Sequence, residues 1–387
     1  MRLVAPDWDT ARAEAHAAGA LLDLEVVGLA DGDRRILAEP VVSATALPPF
    51  ALSAMDGWAV AGVGPWQVVG QVLAGSVREE ALADGEAVSI GTGAAVPDRT
   101  LGVLRTEHGV VAADSRITGN VKPGQDIRPS GEEALRGEVL ITPGTLLGPA
   151  HLGLAAAAGA DALTVYRQPR ARLLVLGDEL LDVGPARGGQ VRDSLGPQIP
   201  QWLKRLGVIT DEPVKVEDTL EAHIASLEAA VGVDLVVTTG GTAAGPVDHL
   251  HAAIAAVGGD VVVDSVAVRP GHPMLLATLP GNRLLVGLPG NPQSAVIALL
   301  TLCAPSVAAM TGRTVELLSD AVLTQDVSAP ASETRLLLCT RMGESATPLE
   351  HLGSGMLRGL ATADGFAVLP PGGLAKGAAA RWLSLPS

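Results

Sequence analysis

Apolar residues recur at helical spacing near the start of the chain, at Ala11, Ala15, Ala18 and Leu22. This spacing predicts a helix over residues 9–24 with one apolar face. From residue 59 to 141 the pattern changes to short Val- and Ile-rich runs that Gly, Asp and Pro interrupt. Such runs are typical of short strands joined by tight turns, so a β-rich module is predicted here. The runs lie at 66–72, 87–90, 101–104 and 110–112.

A third pattern begins near residue 172, where short apolar runs alternate with longer segments of helical character. The predicted strands are 173–176, 235–239 and 284–288. The predicted helices are 193–206, 220–230, 250–257 and 292–310. Asp193 with Ser194 can cap the first of these helices, and Asn291 can cap the last, with Pro292 in its first turn. The alternation predicts a parallel sheet with helices on both faces.

These patterns predict a multidomain α/β protein, because 387 residues exceed what one ordinary core holds. A doubly wound parallel α/β domain is predicted for 169–312. A β-rich domain at 46–140 is predicted to be an insertion between 1–45 and 141–168, which together form a discontinuous N-terminal domain. Residues 313–387 return to short strands and are predicted to form a small C-terminal β domain.

Composition restricts the classes of binding partner and the cellular compartment that are expected. A net charge of −15 argues against non-specific nucleic-acid binding, which depends on Lys and Arg that neutralise phosphates. The first residues show no charged segment followed by an apolar one, and the Ala-rich run 152–162 is too short to cross a bilayer. Cys303 and Cys339 form no CxxC pair and are expected to be reduced, buried thiols. We therefore expect a cytoplasmic protein that binds neither nucleic acid nor membrane.

Three glycine-rich or acidic turns follow the predicted strands of the α/β domain, at 177–179, 240–245 and 289–291. In open parallel sheets ligands bind at the carboxyl ends of the strands, so these turns are expected to meet at one edge. Glycine lets a phosphate approach the backbone, and helix N-termini supply N–H groups. The alternative is that each turn is only a tight connection. No GxGxxG spacing follows Leu176 and no Lys lies near the turns, so neither dinucleotide binding nor P-loop ATP hydrolysis is expected.

The most specific motif is Ser53-Ala54-Met55-Asp56-Gly57. A lone Asp-Gly pair is usually a turn. The whole segment 47–60, however, resembles the signature of the MoeA-type molybdopterin molybdenumtransferases, the family that also includes the gephyrin E domain. Similar strings follow in the family's order along most of the chain, at 91–97, Glu107, 126–133, 144–149, 177–180, 193–194, 240–241, Asp248, 269–273, 288–295, Ser354 and 363–365.

The resemblance implies an elongated four-domain chain that forms a homodimer, with the active site between the α/β domain of one subunit and the β module of the other. It also implies the reaction, in which molybdenum from molybdate is inserted into the dithiolene of molybdopterin. The substrate is adenylylated molybdopterin, which is hydrolysed with Mg²⁺ as cofactor and with release of AMP. A molybdopterin adenylyltransferase is a candidate further partner. Adenylylation by the α/β domain itself would leave the 53–57 motif and the closing β domain unexplained.

The same resemblance assigns roles position by position. The acidic residues that hold Mg²⁺ or position water are Asp56, Glu133, Asp178, Glu179 and Asp248, of which Asp56, Glu179 and Asp248 are the metal ligands. Carboxylates suit this task because Mg²⁺ prefers hard oxygen ligands. The substrate-binding residues are Ser53, Met55, Asp193, Ser194, Gly240, Gly241, Arg269, Pro289, Gly290 and Asn291. The molybdate pocket is formed by His272, Pro273, Arg341 and Ser354, which supply charge and hydrogen bonds to a dianion.

Each assignment has a simpler structural alternative. Asp178 can complement a helix N-terminus, and Asp56 can be part of an ordinary turn. Glu133 can be a solvated surface carboxylate. Arg341 can be a surface residue, and His272 an ordinary loop histidine.

Several positions depart from the family's pattern where chemistry is expected. Arg269 and His272 stand where the family usually has the two lysines of a Lys-Pro-Gly-Lys-Pro string. Arginine keeps the charge but not the compact ammonium, and histidine is largely neutral near pH 7. Ala243 and Leu195 replace a serine and an asparagine. These departures leave a second function open, that of a catalytically impaired molybdopterin-binding paralogue that acts as a binding or scaffolding protein.

Overall fold

An eight-stranded sheet lies at the centre of the unit formed by Met1–Glu25 and Tyr166–Ser387. The structure is a computed structural model that describes residues 2–242 and 249–386. Of the strands described in this sheet, only Leu275–Leu279 runs antiparallel to its neighbours. In sheet order the strands are Leu3–Val4, Asp260–Asp264, Leu275–Leu279, Arg283–Leu288, Leu235–Thr239, Arg170–Leu176 and Ile209–Thr210, and Val214–Val216 also pairs with Arg170–Leu176.

Helices cover both faces of this sheet. Successive strand residues point to opposite faces, so Leu173 and Val175 belong to one core and Leu174 and Leu176 to the other. The first face is covered by Trp8–Ala18, Ile199–Arg205 and Pro292–Met310, and the second by Leu220–Ala229 and Leu250–Ala256. This arrangement confirms the predicted doubly wound α/β domain.

The N-terminal helix, Trp8–Ala18, is shorter than the predicted 9–24. Its first turn is capped by Asp7, whose side chain accepts a hydrogen bond from Thr10 N at 2.9 Å. The helix ends at Gly19, where an added Cβ would lie 2.6 Å from the carbonyl oxygen of Ser306. Close packing against a neighbouring helix therefore requires glycine there, and the chain beyond it is extended.

The long C-terminal helix of the α/β domain combines three segments, Pro292–Ala298, a π-helical turn at Leu299–Cys303, and Ala304–Met310. By length and composition it is the one helix in the described part of the chain that would suffice to cross a membrane. However, 89% of it is buried inside the protein, which is the setting of a core helix.

Five strands of the C-terminal domain close into a small barrel. In order around the barrel they are Thr334–Met342, Ser345–Pro348, Ser319–Leu323, Ala379–Ser384 and Gly365–Leu369, which pairs again with Thr334–Met342. The short strand Val268–Arg269 of the α/β domain adds to Thr334–Met342 in parallel. Phe366 and Leu338 of the barrel are fully buried in the core shared with the long helix. The short helix Leu357–Leu360 lies between two barrel strands in sequence.

The second unit, Val26–Val165, is rich in strands, as predicted. Its main sheet contains, in order, Gly102–Arg105, Gly57–Val60, Glu86–Ile90, Trp66–Val72, Arg116–Thr118 and Val110–Val111. Paired short strands are Leu52–Ser53 with Ile127–Arg128, Val41–Val42 with Val139–Ile141, and Leu24–Gly28 with Ala162–Tyr166. The one α-helix described in this unit is Pro149–Ala157.

The domain boundaries inferred from the sequence stay a prediction. Apolar side chains of Trp8–Ala18 pack into the core of the α/β domain, with Trp8, Ala11 and Ala15 fully buried there. The strands Asp260–Asp264 and Leu275–Leu279 were not predicted, although Gly258 and Gly259 precede the first run and Pro280 and Gly281 follow the second as turn signals.

Candidate active site

Three turns lie side by side at the carboxyl edge of the central sheet. In register, Val175 lies opposite Thr239 and Thr239 opposite Leu288, so the three strands end together. Gly240 N donates a hydrogen bond to Leu288 O at 2.8 Å. A Cβ on Gly240 would lie 3.1 Å from Leu176 O, and its φ of +86° is one that glycine adopts readily. The predicted meeting of the three turns is confirmed for the residues that the structure describes.

The third turn leads directly into the long helix. Pro289 is buried, whereas Gly290 and Asn291 are exposed at the edge. Asn291 is the N-cap residue, as predicted, but its side chain makes no capping hydrogen bond within the described chain. Its amide therefore remains available to a ligand at the helix N-terminus.

Two further loops approach this helix N-terminus. Gln293 N donates to Ser354 O at 3.0 Å, which brings the barrel loop that carries Ser354 to the start of the helix. On another side Gly271 packs against the helix, since a Cβ there would lie 3.5 Å from Ser294 O. The structure thus brings Asn291, Ser354 and the 269–273 loop together around one helix N-terminus.

Asp178 and Glu179 at this edge are exposed. Asp178 Oδ1 accepts a hydrogen bond from Asp218 N at 3.2 Å, so Asp218, which follows a neighbouring strand, belongs to the same edge. The Glu179 carboxylate folds back over Gly177, where a Cβ would lie 2.7 Å from Oε2. Asp248 lies outside the described residues.

The predicted helix cap at Asp193 and Ser194 is wrong. The helix begins only at Ile199. Asp193 Oδ1 instead accepts hydrogen bonds from the backbone N–H groups of Leu195 and Gly196, both at 2.9 Å, which closes a turn ahead of the helix. Both predicted residues are half-buried, and their role in substrate binding stays a prediction.

A carboxylate lies between the two residues that replace the family's lysines. Arg269 Nε donates to Glu333 Oε2 at 2.8 Å, and His272 Nδ1 lies 3.8 Å from Glu333 Oε1. That Nδ1 is buried and has no hydrogen-bond partner in the described chain. Glu333 therefore offsets part of the positive charge that a molybdate pocket would need.

Arg341 lies away from this pocket within one chain. Arg335 is opposite Arg269 in register, and the rise per residue of the strand Thr334–Met342 puts Arg341 about 20 Å farther along it. The Arg341 guanidinium donates to Ser319 Oγ at 2.9 Å. It also donates to the carbonyl oxygens of Gly343 and Asp320, and it lies 5.4 Å from the Trp382 ring. The structure thus ties Arg341 into the barrel, and Arg335 is the arginine at the Arg269 end.

The 53–57 motif forms a short loop between two strands of the second unit. Ser53 is buried, and its hydroxyl donates to Met55 O at 2.6 Å, so it braces the loop from inside. Asp56 is exposed, and its Oδ1 accepts hydrogen bonds from Thr92 N at 2.6 Å and Thr92 Oγ1 at 2.9 Å. These bonds, the backbone one first, lower the pKa of Asp56 below its ordinary value of 3.8. Asp56 is therefore an ionised, oriented carboxylate at neutral pH.

Hydrogen bonds from neighbouring residues hold this loop in place. Asp126 accepts two hydrogen bonds from Arg105, and Asp126 O accepts one from Ala54 N at 2.8 Å. Glu133 is exposed, and its backbone N donates to Leu47 O at 2.8 Å. Within this unit Glu133 and Asp56 therefore belong to loops that flank the same short strands.

Asp218, Glu333 and Arg335 were not predicted, whereas Thr92 and Asp126 lie in the motif strings 91–97 and 126–133 but received no individual role. Asp218 carries a usable signal, because it follows the strand Val214–Val216 at the edge where ligands bind. Glu333 and Arg335 carry none, because only the pairing of a barrel strand with Val268–Arg269 brings them to the pocket.

Comparison with known families divides the chain into three consecutive parts. Residues 7–159 match the family described as the MoeA N-terminal region (domain I and II). Residues 172–309 match the probable molybdopterin binding domain, and residues 320–385 match the MoeA C-terminal region (domain IV).

Individual relatives agree with these matches. A molybdopterin molybdenumtransferase from Haemophilus influenzae is 34% identical over 298 residues, which cover 75% of this chain and 73% of that protein. One from Bacillus subtilis is 30% identical over 373 residues, covering 90% and 86%. The crystal structure of a molybdopterin biosynthesis MoeA protein from Pyrococcus horikosii has a TM-score of 0.80 at 26% identity, covering 99% of this chain and 100% of that one.

Fold and matches together define a transferase of molybdenum cofactor biosynthesis. The chain belongs to the molybdopterin molybdenumtransferase family. The family resemblance inferred from the 53–57 motif is therefore confirmed.

Proposed function

We propose that this protein inserts molybdenum from molybdate into molybdopterin, with adenylylated molybdopterin as its substrate and AMP as its leaving product. The observation that carries the proposal is the sheet edge where glycine turns, exposed carboxylates and a helix N-terminus converge. Family membership supports the same reaction, because the relatives are named for it.

The sheet edge suits a phosphorylated pterin. Gly240, Gly241 and Gly290 allow a phosphate to approach the backbone, and the N–H groups of the long helix point to the same place. Asn291 would add an amide that no capping bond uses in the described chain. Met55, which is half-buried in the 53–57 loop, and Pro289 would supply apolar contact to the ring system.

Mg²⁺ is the proposed cofactor, held by Asp56, Glu179 and Asp248. Among the described residues no three His, Cys, Asp or Glu side chains form a self-contained metal site. Mg²⁺ usually takes one or two carboxylates and completes its shell with water and substrate phosphates. Asp56 fits the role because it is exposed and Thr92 engages only its Oδ1. A bound Mg²⁺ would neutralise charge on the substrate phosphates.

Exposed carboxylates would position the water that attacks the phosphate. Glu133 and Asp178 are proposed for this role, since both are solvent-accessible and neither is paired with a basic side chain in the described chain. Asp178 is held in place by the N–H of Asp218. Asp193 and Ser194 are proposed to contact the substrate near this edge.

Molybdate is proposed to bind beside the long helix, at Arg269, His272, Pro273 and Ser354. These residues lie on the loops that meet at the helix N-terminus, which favours an anion. Because Arg341 donates its hydrogen bonds inside the barrel, we propose that it supports the barrel rather than the pocket of its own chain.

The protein is proposed to act as a cytoplasmic homodimer in which Asp56 of one subunit completes the sheet-edge site of the other. Exposed apolar residues in the second unit support an interface. Val42 and Val139, opposite each other on paired strands, are 43% and 50% exposed, and Phe50 is 48% exposed. A molybdopterin adenylyltransferase that delivers the substrate is the proposed second partner.

The test is a reaction of purified protein with adenylylated molybdopterin, molybdate and Mg²⁺, followed by chromatography of AMP and of the molybdenum-loaded cofactor. We expect both products, with loss of both when EDTA removes Mg²⁺ and recovery when Mg²⁺ returns. Folded protein that yields neither product under these conditions would refute the proposed function.

A second candidate function is a molybdopterin-binding paralogue without efficient insertion. The position of Glu333 between Arg269 and His272 favours it, because a carboxylate there weakens an oxyanion pocket. Binding of adenylylated molybdopterin without release of AMP, while a Bacillus subtilis relative releases it in the same assay, would support this alternative.

A further inference from the structure

A cavity of about 250 Å³ lies between the N-terminal helix, the long helix and the last barrel strand. Leu206, Leu300 and Leu385 form apolar parts of its wall. The charged side chains that line it are Arg12, Arg313 and Glu316. No residue of the proposed catalytic site contributes to this cavity.

The Arg12 side chain is buried, and few of its N–H donors make hydrogen bonds. It is 6% exposed, and its guanidinium lies 4.6 Å from the Trp8 ring. In the described chain its side chain makes one long hydrogen bond, from Nη2 to Glu316 O at 3.5 Å, and its buried Nε has no acceptor. A guanidinium has five N–H donors, and buried donors without acceptors are costly. Arg12 therefore offers unused donors beside a cavity that it lines.

The second arginine of the cavity is also only partly satisfied. Arg313 Nε donates to Thr311 Oγ1 at 3.4 Å, a long hydrogen bond. Burial lowers the pKa of Arg12 and of Arg313, although both remain charged because arginine pKa values stay far above neutrality. Desolvation without full compensation by counter-charges explains these shifts.

The charges around the cavity do not balance. Glu316 is the one acidic side chain among the lining residues, against Arg12 and Arg313. The neighbouring Asp9 and Arg381 compensate each other, with 2.8 Å between Oδ1 and Nη1. Among the lining side chains one positive charge is in excess, and a negatively charged ligand would offset it.

We propose that this cavity binds a small monoanionic organic acid, with its carboxylate on Arg12 and Arg313 and its apolar part against the leucine walls. Guanidinium groups bind carboxylates with two parallel hydrogen bonds, which is the geometry that unused arginine donors favour. The volume lies below the roughly 300–1,000 Å³ of pockets for drug-sized ligands, which restricts the ligand to a short chain.

The test is calorimetric titration of the full-length protein with butyrate, with uncharged butyramide of the same shape, and with inorganic phosphate. We expect butyrate to bind at least about tenfold more tightly than butyramide. Arg313→Gln should weaken butyrate binding about tenfold, whereas Glu316→Gln should strengthen it, because the first removes a positive charge and the second a negative one. Arg136→Gln, an exposed arginine of the other unit, is the matched control and should change nothing.

Arg313 and Glu316 carry the test because neither is fully buried, whereas replacing Arg12 would disturb its packing on Trp8. Thermal unfolding of each variant verifies that it is folded. Equal binding of butyrate and butyramide, unchanged affinity in both variants, or binding of phosphate but not of butyrate would each overturn the proposal. The outcome does not depend on whether the protein transfers molybdenum.

Discussion

The Asp126 carboxylate accepts two hydrogen bonds from the Arg105 guanidinium, at 2.9 Å from Nε and 2.8 Å from Nη2. The pair brackets the loop that presents Asp56. Asp126 O holds Ala54 N at the start of this loop, and Arg105 lies opposite Gly57 at its end. The orientation of Asp56 therefore depends on an ion pair that holds the ends of its loop and makes no contact with the Asp56 carboxylate.

Asp126→Asn should lower the stability of the protein near neutral pH and leave it unaffected in acid. The hydrogen bonds from Arg105 lower the pKa of Asp126 below 3.8 in the folded protein. A carboxyl with a lowered pKa stabilises the folded state above its ordinary pKa and loses that contribution as the pH falls through its folded value. Urea unfolding at several pH values should therefore show a gap between wild type and variant that closes below about pH 4.

Asp114→Asn is the matched control, because Asp114 is an exposed carboxylate 3.7 Å from Arg116 in the same unit. We expect little change in stability from it at any pH. A gap for Asp126→Asn that stays constant from neutral pH into acid would contradict this role of the ion pair.

Thr92→Val should shift the acidic limb of the activity profile to higher pH. The Thr92 hydroxyl is one of two groups that lower the pKa of Asp56, and its removal raises that pKa toward the ordinary value. Less of Asp56 is then ionised at and below about pH 4. The measurement is the rate of AMP release against pH, with Thr100→Val, whose hydroxyl binds Pro97 O in the same unit, as control. If the pH dependence of AMP release does not change, ionisation of Asp56 is not required for catalysis.

Glu333→Gln should strengthen the binding of molybdate. The carboxylate now binds Arg269 and faces His272, and its neutralisation would free positive charge for a dianion. We expect affinity to rise about fivefold in a calorimetric titration with molybdate. Glu344→Gln, an exposed glutamate of the same barrel, should have no effect. Weaker binding in Glu333→Gln would show that Glu333 orients the pocket rather than opposing the anion.

Gly57→Ala should destabilise the unit that carries the motif. An added Cβ would lie 2.0 Å from Leu104 O on the neighbouring strand, so the strands must separate. Overpacking of this kind costs about 1–3 kcal/mol in free energy of unfolding. Gly28→Ala is the control, because a Cβ there meets nothing within 4 Å. Equal thermal midpoints for the two variants would contradict this packing argument.

Local patterns predicted much of the fold. The strands at 173–176 and 235–239 were recognised because their apolar residues are continuous and glycine follows them. By contrast, the strand Leu275–Leu279 was missed, although its length and the Pro280-Gly281 turn after it favour a strand. It pairs antiparallel with Arg283–Leu288 across that turn.

The residues of the candidate site also fall into those that short motifs predict and those that only strand pairing brings together. Asp56 and the turns after the strands could be recognised because their chemistry is contained in short motifs. The choice between Arg335 and Arg341 could not be made, since both lie on one barrel strand and only its register with Val268–Arg269 distinguishes them. The same strand pairing brings Glu333 to Arg269, so no pattern in the neighbouring sequence could predict this contact.

The activity of a mixed dimer measures directly whether Asp56 and the sheet edge serve one site across two subunits, as proposed. Asp56→Asn and Glu179→Gln chains would be co-expressed with different tags, and the heterodimer purified. Each homodimer should be inactive in AMP release, while the heterodimer has one intact site and should retain about half of wild-type activity. A folded heterodimer as inactive as the two homodimers would contradict the claim.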